Sequence, residues 1–343
     1  MPEIIVRKIL ERGLGEPINT GGKHAAMLNG MYLSGWSGLF LREIRNTLQG
    51  KGNIPRGAKP LGRIISHPNI SDSMSRIRPL VLAGYIKEAK AALKLYQKER
   101  VEVAGVPIFS TAPSTQGWVF ADTAYMVPPS LAIMGEERMA VSDLVKTHKL
   151  LALKNGLLRH ILNAAVREQD SYCKTDLWID GTAWGRANGW WVAGAVDTLE
   201  VLSGSARELT ALLRKTCKSL LEFQDGGFWR CTVDDPYSAV DTSATVMIGY
   251  GFVKGHQLGY LGKRYEAAGF GALEAVLRHH FDWRTGTMRH QQIGPLIVNV
   301  ASPNPRYLSD ANPYGQGFLA QLYMLCVCGV NVRTLNVKQV AGG

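Results

Sequence analysis

A chain of 343 residues with 46% hydrophobic content can bury one large core or two modest ones. No apolar stretch approaches the roughly 20 residues that a bilayer crossing requires, and Met1 to Leu14 lacks the apolar centre of a signal peptide, so neither a membrane span nor a secretory leader is predicted. The net charge of +11 is concentrated early, with 17 Lys and Arg against 7 Asp and Glu in residues 1–100. That field favours an anionic partner, but the basic residues are scattered and carry no nucleic-acid motif, so a solvated surface is the plainer reading. Five cysteines, Cys173, Cys217, Cys231, Cys326 and Cys328, form an odd set without CxxC spacing. This argues against a disulfide framework and against a zinc site, and a reducing cytoplasm is expected.

In chain order, residues 48–73 are rich in Gly, Pro, Ser and Asn and predict a long loop. Helical apolar spacing follows over Leu80 to Tyr96, Val192 to Leu202 and Tyr265 to Phe281. The clearest case is Leu209, Leu212, Leu213, Cys217, Leu220 and Leu221, with Arg207, Glu208, Arg214 and Lys218 on the opposite face. Asp241-Thr-Ser-Ala offers capping residues for a further helix. Loops at Asp225–Trp229 and Asp282–Gly286 separate these helices, and Phe228 to Val233 is the best candidate for a short edge strand. Helix, loop and helix recurring at roughly 40–50 residues without a close sequence repeat suggest hairpins packed round an axis rather than a solenoid.

Two short runs carry the chemistry. Asp122 lies among uncharged neighbours, Trp118-Val-Phe-Ala before it and Thr-Ala-Tyr-Met-Val-Pro after it. An acid in that setting is disfavoured as an anion, which suits a general acid; the alternative is a helix N-cap. Trp184-Gly-Arg-Ala-Asn-Gly-Trp-Trp191 combines three tryptophans with Arg186 and Asn188. On a helix, Arg186 and Trp190 share a face, so that Arg186 can fork onto a carboxylate while Trp184 or Trp190 stacks on a sugar ring. The alternative is core tryptophans with a stacked arginine. His160 and Asp72 are open between site and structural roles, Asp72 as a turn or N-cap residue after Pro68. No metal-ligand cluster, phosphate loop or Ser–His–Asp set can be defended.

Together with Val240–Met247 and Asn312-Pro-Tyr-Gly-Gln-Gly317, these runs resemble the unsaturated uronyl hydrolases, the unsaturated glucuronyl and rhamnogalacturonyl hydrolases of glycoside hydrolase families 88 and 105. The resemblance covers roughly residues 115–325. Ala187 stands where the family's tryptophan motif has glycine, and Ile161 follows His160 in place of glycine. The N-terminal third diverges, with Leu28 to Leu39 in the place of the first barrel helix. The resemblance implies an all-α fold, an (α/α)6 barrel of six hairpins using residues 1–343 as one domain, and no cofactor. It also implies release of a terminal 4,5-unsaturated uronic acid by hydration of the C4=C5 vinyl ether. Asp122 is then the proton donor and base, and Asp72 the second acid. Arg186 and His160 hold the uronate carboxylate, Trp184 and Trp190 hold the ring, and Phe120, Met126 and Asn188 complete the substrate-binding set. The expected partner is a small anionic oligosaccharide, with neither nucleic acid nor membrane, and the protein a monomer or homodimer. The rivals are a saturated glucuronidase or epimerase on the same toroid, and a non-catalytic toroid that binds acidic carbohydrate.

Overall fold

The computed structural model describes residues 2–16, 21–49, 59–61, 65–67, 69–109, 111, 117–163, 182–292 and 308–332. Two kinds of helix alternate along the chain. The first kind buries one face only: α1 (Pro2–Leu14) turns Val6, Ile9, Leu10 and Gly13 inward while its charged residues face solvent. The second kind is buried nearly all round, as in α2 (Gly21–Leu33), where Ala25 through Met31 are inaccessible. An amphipathic helix needs one apolar neighbour, whereas a helix buried on every side needs a ring of them.

The alternation continues. Outer α3 (Ser37–Leu48) precedes inner α4 (Ile70–Met74) and α5 (Ile77–Leu82); outer α6 (Ile86–Glu99) precedes inner α7 (Thr123–Met126) and α8 (Pro128–Ile133). Outer α9 (Glu137–Leu151), α11 (Arg207–Glu222) and α13 (Lys263–His279) precede inner α10 (Gly185–Val201), α12 (Thr242–Gln257) and α14 (Pro313–Cys326). The inner helices pack in ring order: α2 on α4 and α5, those on α7 and α8, then α10, α12 and α14, with α14 returning to α2. Six outer–inner hairpins thus close a barrel, the architecture expected from the resemblance.

Close approach round the ring is clearest at two glycines. A methyl group at Gly194 would overlap the Ala124 carbonyl, and one at Gly317 would lie 2.5 Å from the Ala26 carbonyl carbon. The α10–α7 and α14–α2 seams exist at this spacing because those side chains are absent.

Three sequence expectations change. Leu80 to Tyr96 is two helices, broken at Ala83–Tyr85 where Gly84 takes φ +81. The Phe228–Val233 strand is absent; Phe228, Arg230 and Thr232 make only isolated bridges, to Asp225, Val240 and Trp184. Within the expected long loop, the described residues hold an antiparallel pair of Lys59–Leu61 with Ile65–His67, followed by α4. Cys173 lies outside the described residues; Cys217, Cys231, Cys326 and Cys328 are free thiols. Among the described residues no helix is long and apolar enough to cross a membrane.

One end of the ring is closed by charge. Lys254 on α12 donates to Asp197 (2.6 Å) and Glu200 (2.9 Å) of α10, and Arg78 of α5 donates to Glu200 (2.6 Å) and to Asn29 of α2 (3.1 Å). Tyr250 adds a 2.6 Å hydrogen bond to Asp197. Lys254, Tyr250, Asp197, Glu200 and Asn29 come from the C-terminal halves of α12, α10 and α2, and Arg78 from the first turn of α5, so the N-terminal ends of α2, α10 and α12 converge at the opposite mouth.

Candidate active site

At that mouth, a two-stranded ladder pairs Trp118 with Asn163, Val119 with Leu162 and Phe120 with Ile161. It extends by one bond from the Ala121 N–H to the His160 carbonyl (2.9 Å). The register brings Asp122, the next residue, beside His160, and their side chains meet at 2.7 Å between Oδ2 and Nε2. Asp122 occupies the N-cap position of α7 but makes no capping bond with its side chain, which is 19% exposed. Of the two sequence readings, the N-cap is therefore not the one realised. Nor is the carboxyl surrounded only by apolar groups; it is paired with an imidazole.

His160 lies in an aromatic slot. Phe120 meets it edge-on at 5.5 Å and Trp184 lies 4.3 Å away. The Trp184 indole N–H donates to Gln292 Oε1 (2.5 Å), and its ring carries the Arg186 guanidinium at 4.7 Å. Arg186 Nη1 donates to Ser243 Oγ (3.2 Å) and to the Gln292 carbonyl. Both acceptors are in turn arranged by Asp241, whose Oδ1 accepts from the Ser243 N–H (2.9 Å), the Ser243 hydroxyl (2.6 Å) and the Gln292 N–H (3.2 Å). Asp241 caps α12 as the sequence suggested, and the same carboxylate also fixes the two groups that aim Arg186.

Other predicted residues play different parts. Asn188 is fully buried, and its amide is engaged by backbone: Oδ1 accepts from Leu158 N–H (2.9 Å), while Nδ2 donates to the carbonyls of Leu158 (3.0 Å) and Trp184 (2.8 Å). It ties the 157–158 turn to α10 instead of meeting a ligand. Trp190 and Met126 are inaccessible. Trp190 packs on Tyr125 (5.2 Å), Phe318 (5.9 Å) and, edge-on, Tyr314 (5.0 Å). Its place is behind the site wall, and the aromatic ring it supports there is Tyr314. The expected pairing of Arg186 with Trp190 on one helix face is thus made through Tyr314, which lies 5.8 Å from the guanidinium.

Asp72 is buried inside α4, where Asn69 holds the N-cap position. It acts electrostatically on Arg76 and on Lys23, raising both against burial, which lowers each below its usual value. His24, buried next to Arg76, is driven down to about 3 by desolvation first and by that guanidinium second. The mouth therefore gathers Lys23, Arg76 and Arg186 with Asp72 and the Asp122–His160 pair. The positive ends of α2, α10, α12 and α14 point the same way, which favours an anion. Sequence reasoning missed Lys23, Gln292 and the organising role of Asp241, and it named the Asn312–Gly317 run as cleft lining without singling out Tyr314. Lys23 and Gln292 sit in stretches with no motif, whereas Asn312-Pro-Tyr314 did signal a helix start. Among the described residues no group of three or more His, Cys, Asp or Glu side chains could hold a metal.

An acid and imidazole beside stacked aromatics and cations, at one mouth of an (α/α)6 barrel, define a carbohydrate-active toroid. Solved structures share this architecture. A family 105 glycoside hydrolase from C. acetobutylicum superposes with a TM-score of 0.73 at 20% identity, covering 93% of this chain and 98% of that one. The unsaturated glucuronyl hydrolase from Bacillus sp. GL1 gives 0.68 at 15% identity, covering 95% and 96%. The family model for Glycosyl Hydrolase Family 88 matches residues 83–319, and the chain belongs to that family. A curated relative, the unsaturated rhamnogalacturonyl hydrolase YesR of Bacillus subtilis (strain 168), is 36% identical over 74 residues. That match spans 20% of this chain and 22% of the relative.

Proposed function

We propose that the protein releases a terminal 4,5-unsaturated uronic acid from small anionic oligosaccharides by hydrating the C4=C5 double bond. The observation that carries this reading is the 2.7 Å Asp122–His160 pair set against Trp184 and Arg186. Membership of family 88 and the partial likeness to a rhamnogalacturonyl hydrolase support it.

In the substrate, the ring oxygen and the C4=C5 bond form a vinyl ether. Asp122 transfers its proton to C4, and the ring oxygen donates electron density to the cation developing at C5. Water adds at C5 and gives its proton to the Asp122 carboxylate, which restores the acid. The resulting hemiketal opens at the bond between C5 and the ring oxygen, leaving a ketone. The released hydroxyl leaves C1 as a hemiacetal, which collapses and expels the remaining sugar. One acid/base residue serves both steps, unlike hydrolysis at the anomeric centre, which uses two carboxyl groups. His160 orients the Asp122 carboxyl, Arg186 meets the uronate carboxylate, Trp184 bounds the sugar ring, and Asp72 keeps Lys23 and Arg76 in place. The four cysteines among the described residues are free thiols, which fits a reducing compartment.

Matched saturated and unsaturated uronyl disaccharides test the proposal. Loss of the conjugated ultraviolet absorbance with the unsaturated substrate alone is expected. Equal turnover of the saturated one would replace the reading with an ordinary glucuronidase, and binding without turnover would indicate an inert toroid.

A further inference from the structure

Two cations reach one aromatic ring from different helices. Lys23 Nζ lies 5.7 Å, and Arg186 Cζ 5.8 Å, from the centroid of Tyr314. Tyr314 is itself fixed, edge-on to Trp190 at 5.0 Å, with its N–H held by Asn312 Oδ1 at 3.2 Å. Arg186 is equally constrained by Ser243, Gln292 and the Trp184 face. Lys23 stands at the start of α2, which the Gly317 seam holds against α14.

Among the groups that act on Lys23 are Arg186 from α10, Asp72 from α4 and Glu16 from just beyond α1. Glu16 is already paired with Arg12 at 2.5 Å. Burial, and after it Arg186, lower the Lys23 pKa from the lysine norm against the pull of both acids. Two like charges that act on one another in a partly desolvated mouth repel, and an anion within reach of both offsets that repulsion.

We propose that Lys23 and Arg186 form a two-sided grip on one substrate carboxylate, with Lys23 a binding residue that closes on the anion from the α2 side. The proposal rests on reading the mouth as a uronate site. Arg186, a planar fork locked in place, sets where the carboxylate lies, and Lys23, a point charge on a flexible stem, adapts to it. Arginine keeps its charge at every working pH, so alkaline loss of binding belongs to Lys23.

The test compares the wild type with Lys23→Met and Lys23→Arg in steady-state turnover of an unsaturated uronyl disaccharide. Thermal stabilisation by glucuronate, with glucose as the uncharged control, is measured on the same proteins. Lys23→Met should raise KM about 10- to 30-fold, the low end for a charged partner that keeps some exposure, with kcat changed less than about threefold. Glucuronate should no longer stabilise it, while Lys23→Arg should recover most of both. The wild-type KM should climb at a pH below the ordinary lysine value of about 10.4, and the Arg variant should lack that climb. An unchanged KM and undiminished glucuronate stabilisation in Lys23→Met would overturn the grip. Should Lys23→Met fail to fold, the alkaline KM profiles of wild type and Lys23→Arg decide, and coincident profiles overturn the grip. If no unsaturated substrate is turned over yet glucuronate stabilisation still requires Lys23, the grip stands and the hydrolase reading falls.

Discussion

Asp122→Asn separates chemistry from architecture more cleanly than any other single change. The substitution keeps shape and a hydrogen-bonding oxygen but removes the transferable proton. Asp122 caps nothing in α7, so no helix end is lost. What changes is the 2.7 Å contact with His160, which goes from an ionisable bond to a neutral one. Such an exchange is worth about 1 kcal/mol, and less here because the carboxyl is 19% exposed. A shift in Tm of about 2 °C or less is expected for a chain of this size. Turnover of unsaturated disaccharide should fall at least 10²- to 10⁴-fold, the range for loss of a general acid. Turnover and melting temperature are to be measured on the same preparation. A fully active variant would end the catalytic assignment, and an activity loss that tracks a large fall in Tm would make Asp122 structural.

Asn188→Ala should behave in the opposite sense. It removes three buried hydrogen bonds to the Leu158 and Trp184 backbone, a loss of about 2–4 kcal/mol, visible as a lower denaturant midpoint, with kcat per folded molecule within a few-fold of wild type; a stable variant with a raised KM would return Asn188 to the binding set. A third expectation concerns acid. Burial holds His24 at about 3 and His148 at about 4, so between pH 6.5 and those values the unfolded chain binds protons that the folded chain refuses. Stability should fall with pH through that window, by up to about 1.4 kcal/mol per pH unit for each histidine, and His24→Gln should flatten the slope in urea titrations from pH 7 to 4.

What the sequence made legible followed from periodicity and from short dense motifs. The amphipathic outer helices announced themselves because one face alone is apolar, as with Leu209 to Leu221. The inner ring was harder to read: α10 and α12 are buried on nearly every side, so apolar spacing carries no direction in them, and closure into six hairpins came from the family resemblance. Within the site, Asp122, His160, Trp184 and Arg186 were legible and do meet. Asn188 and Trp190 lie buried behind the residues that face the mouth, a placement their letters do not reveal. A polar or aromatic side chain in a motif has the same letter whether it faces the ligand or supports the residue that does. Trp190 supports Tyr314, and Asn188 supports the turn before His160. Lys23 and Gln292 were invisible because contacts separated by more than a hundred residues create their roles.

The closed end of the barrel bears on the open one through the inner helices that join them. Lys254 and Asp197 are buried, with Arg78, Glu200 and Tyr250 around them. Desolvation is the largest single effect on Asp197 and would raise its pKa, but Lys254, Arg78 and the hydrogen bonds from Lys254 and Tyr250 together hold it below the usual aspartate value. A carboxylate with a depressed folded pKa gives stability that is present above its unfolded value and lost as pH falls through the folded one. Lys254→Met removes one of two cations that serve two acids. Breaking a buried pair from one side is strongly destabilising, by about 3–5 kcal/mol, because Asp197 and Glu200 then share Arg78. In that variant the stranded acid has a raised pKa, so its penalty is full at neutral pH and fades as protonation sets in. The deficit relative to wild type should therefore shrink between about pH 7 and pH 4. Adding Asp197→Asn should recover part of the loss at neutral pH and remove its pH dependence. Since, among the described residues, the cluster makes no hydrogen bond or ion pair to a residue of the mouth, kcat per folded molecule should be unchanged throughout. A pH-independent deficit would mean that Lys254 acts by packing alone. A fall in kcat with the fold intact would show that the charge cluster sets the register of the inner helices that carry Arg186 and Ser243.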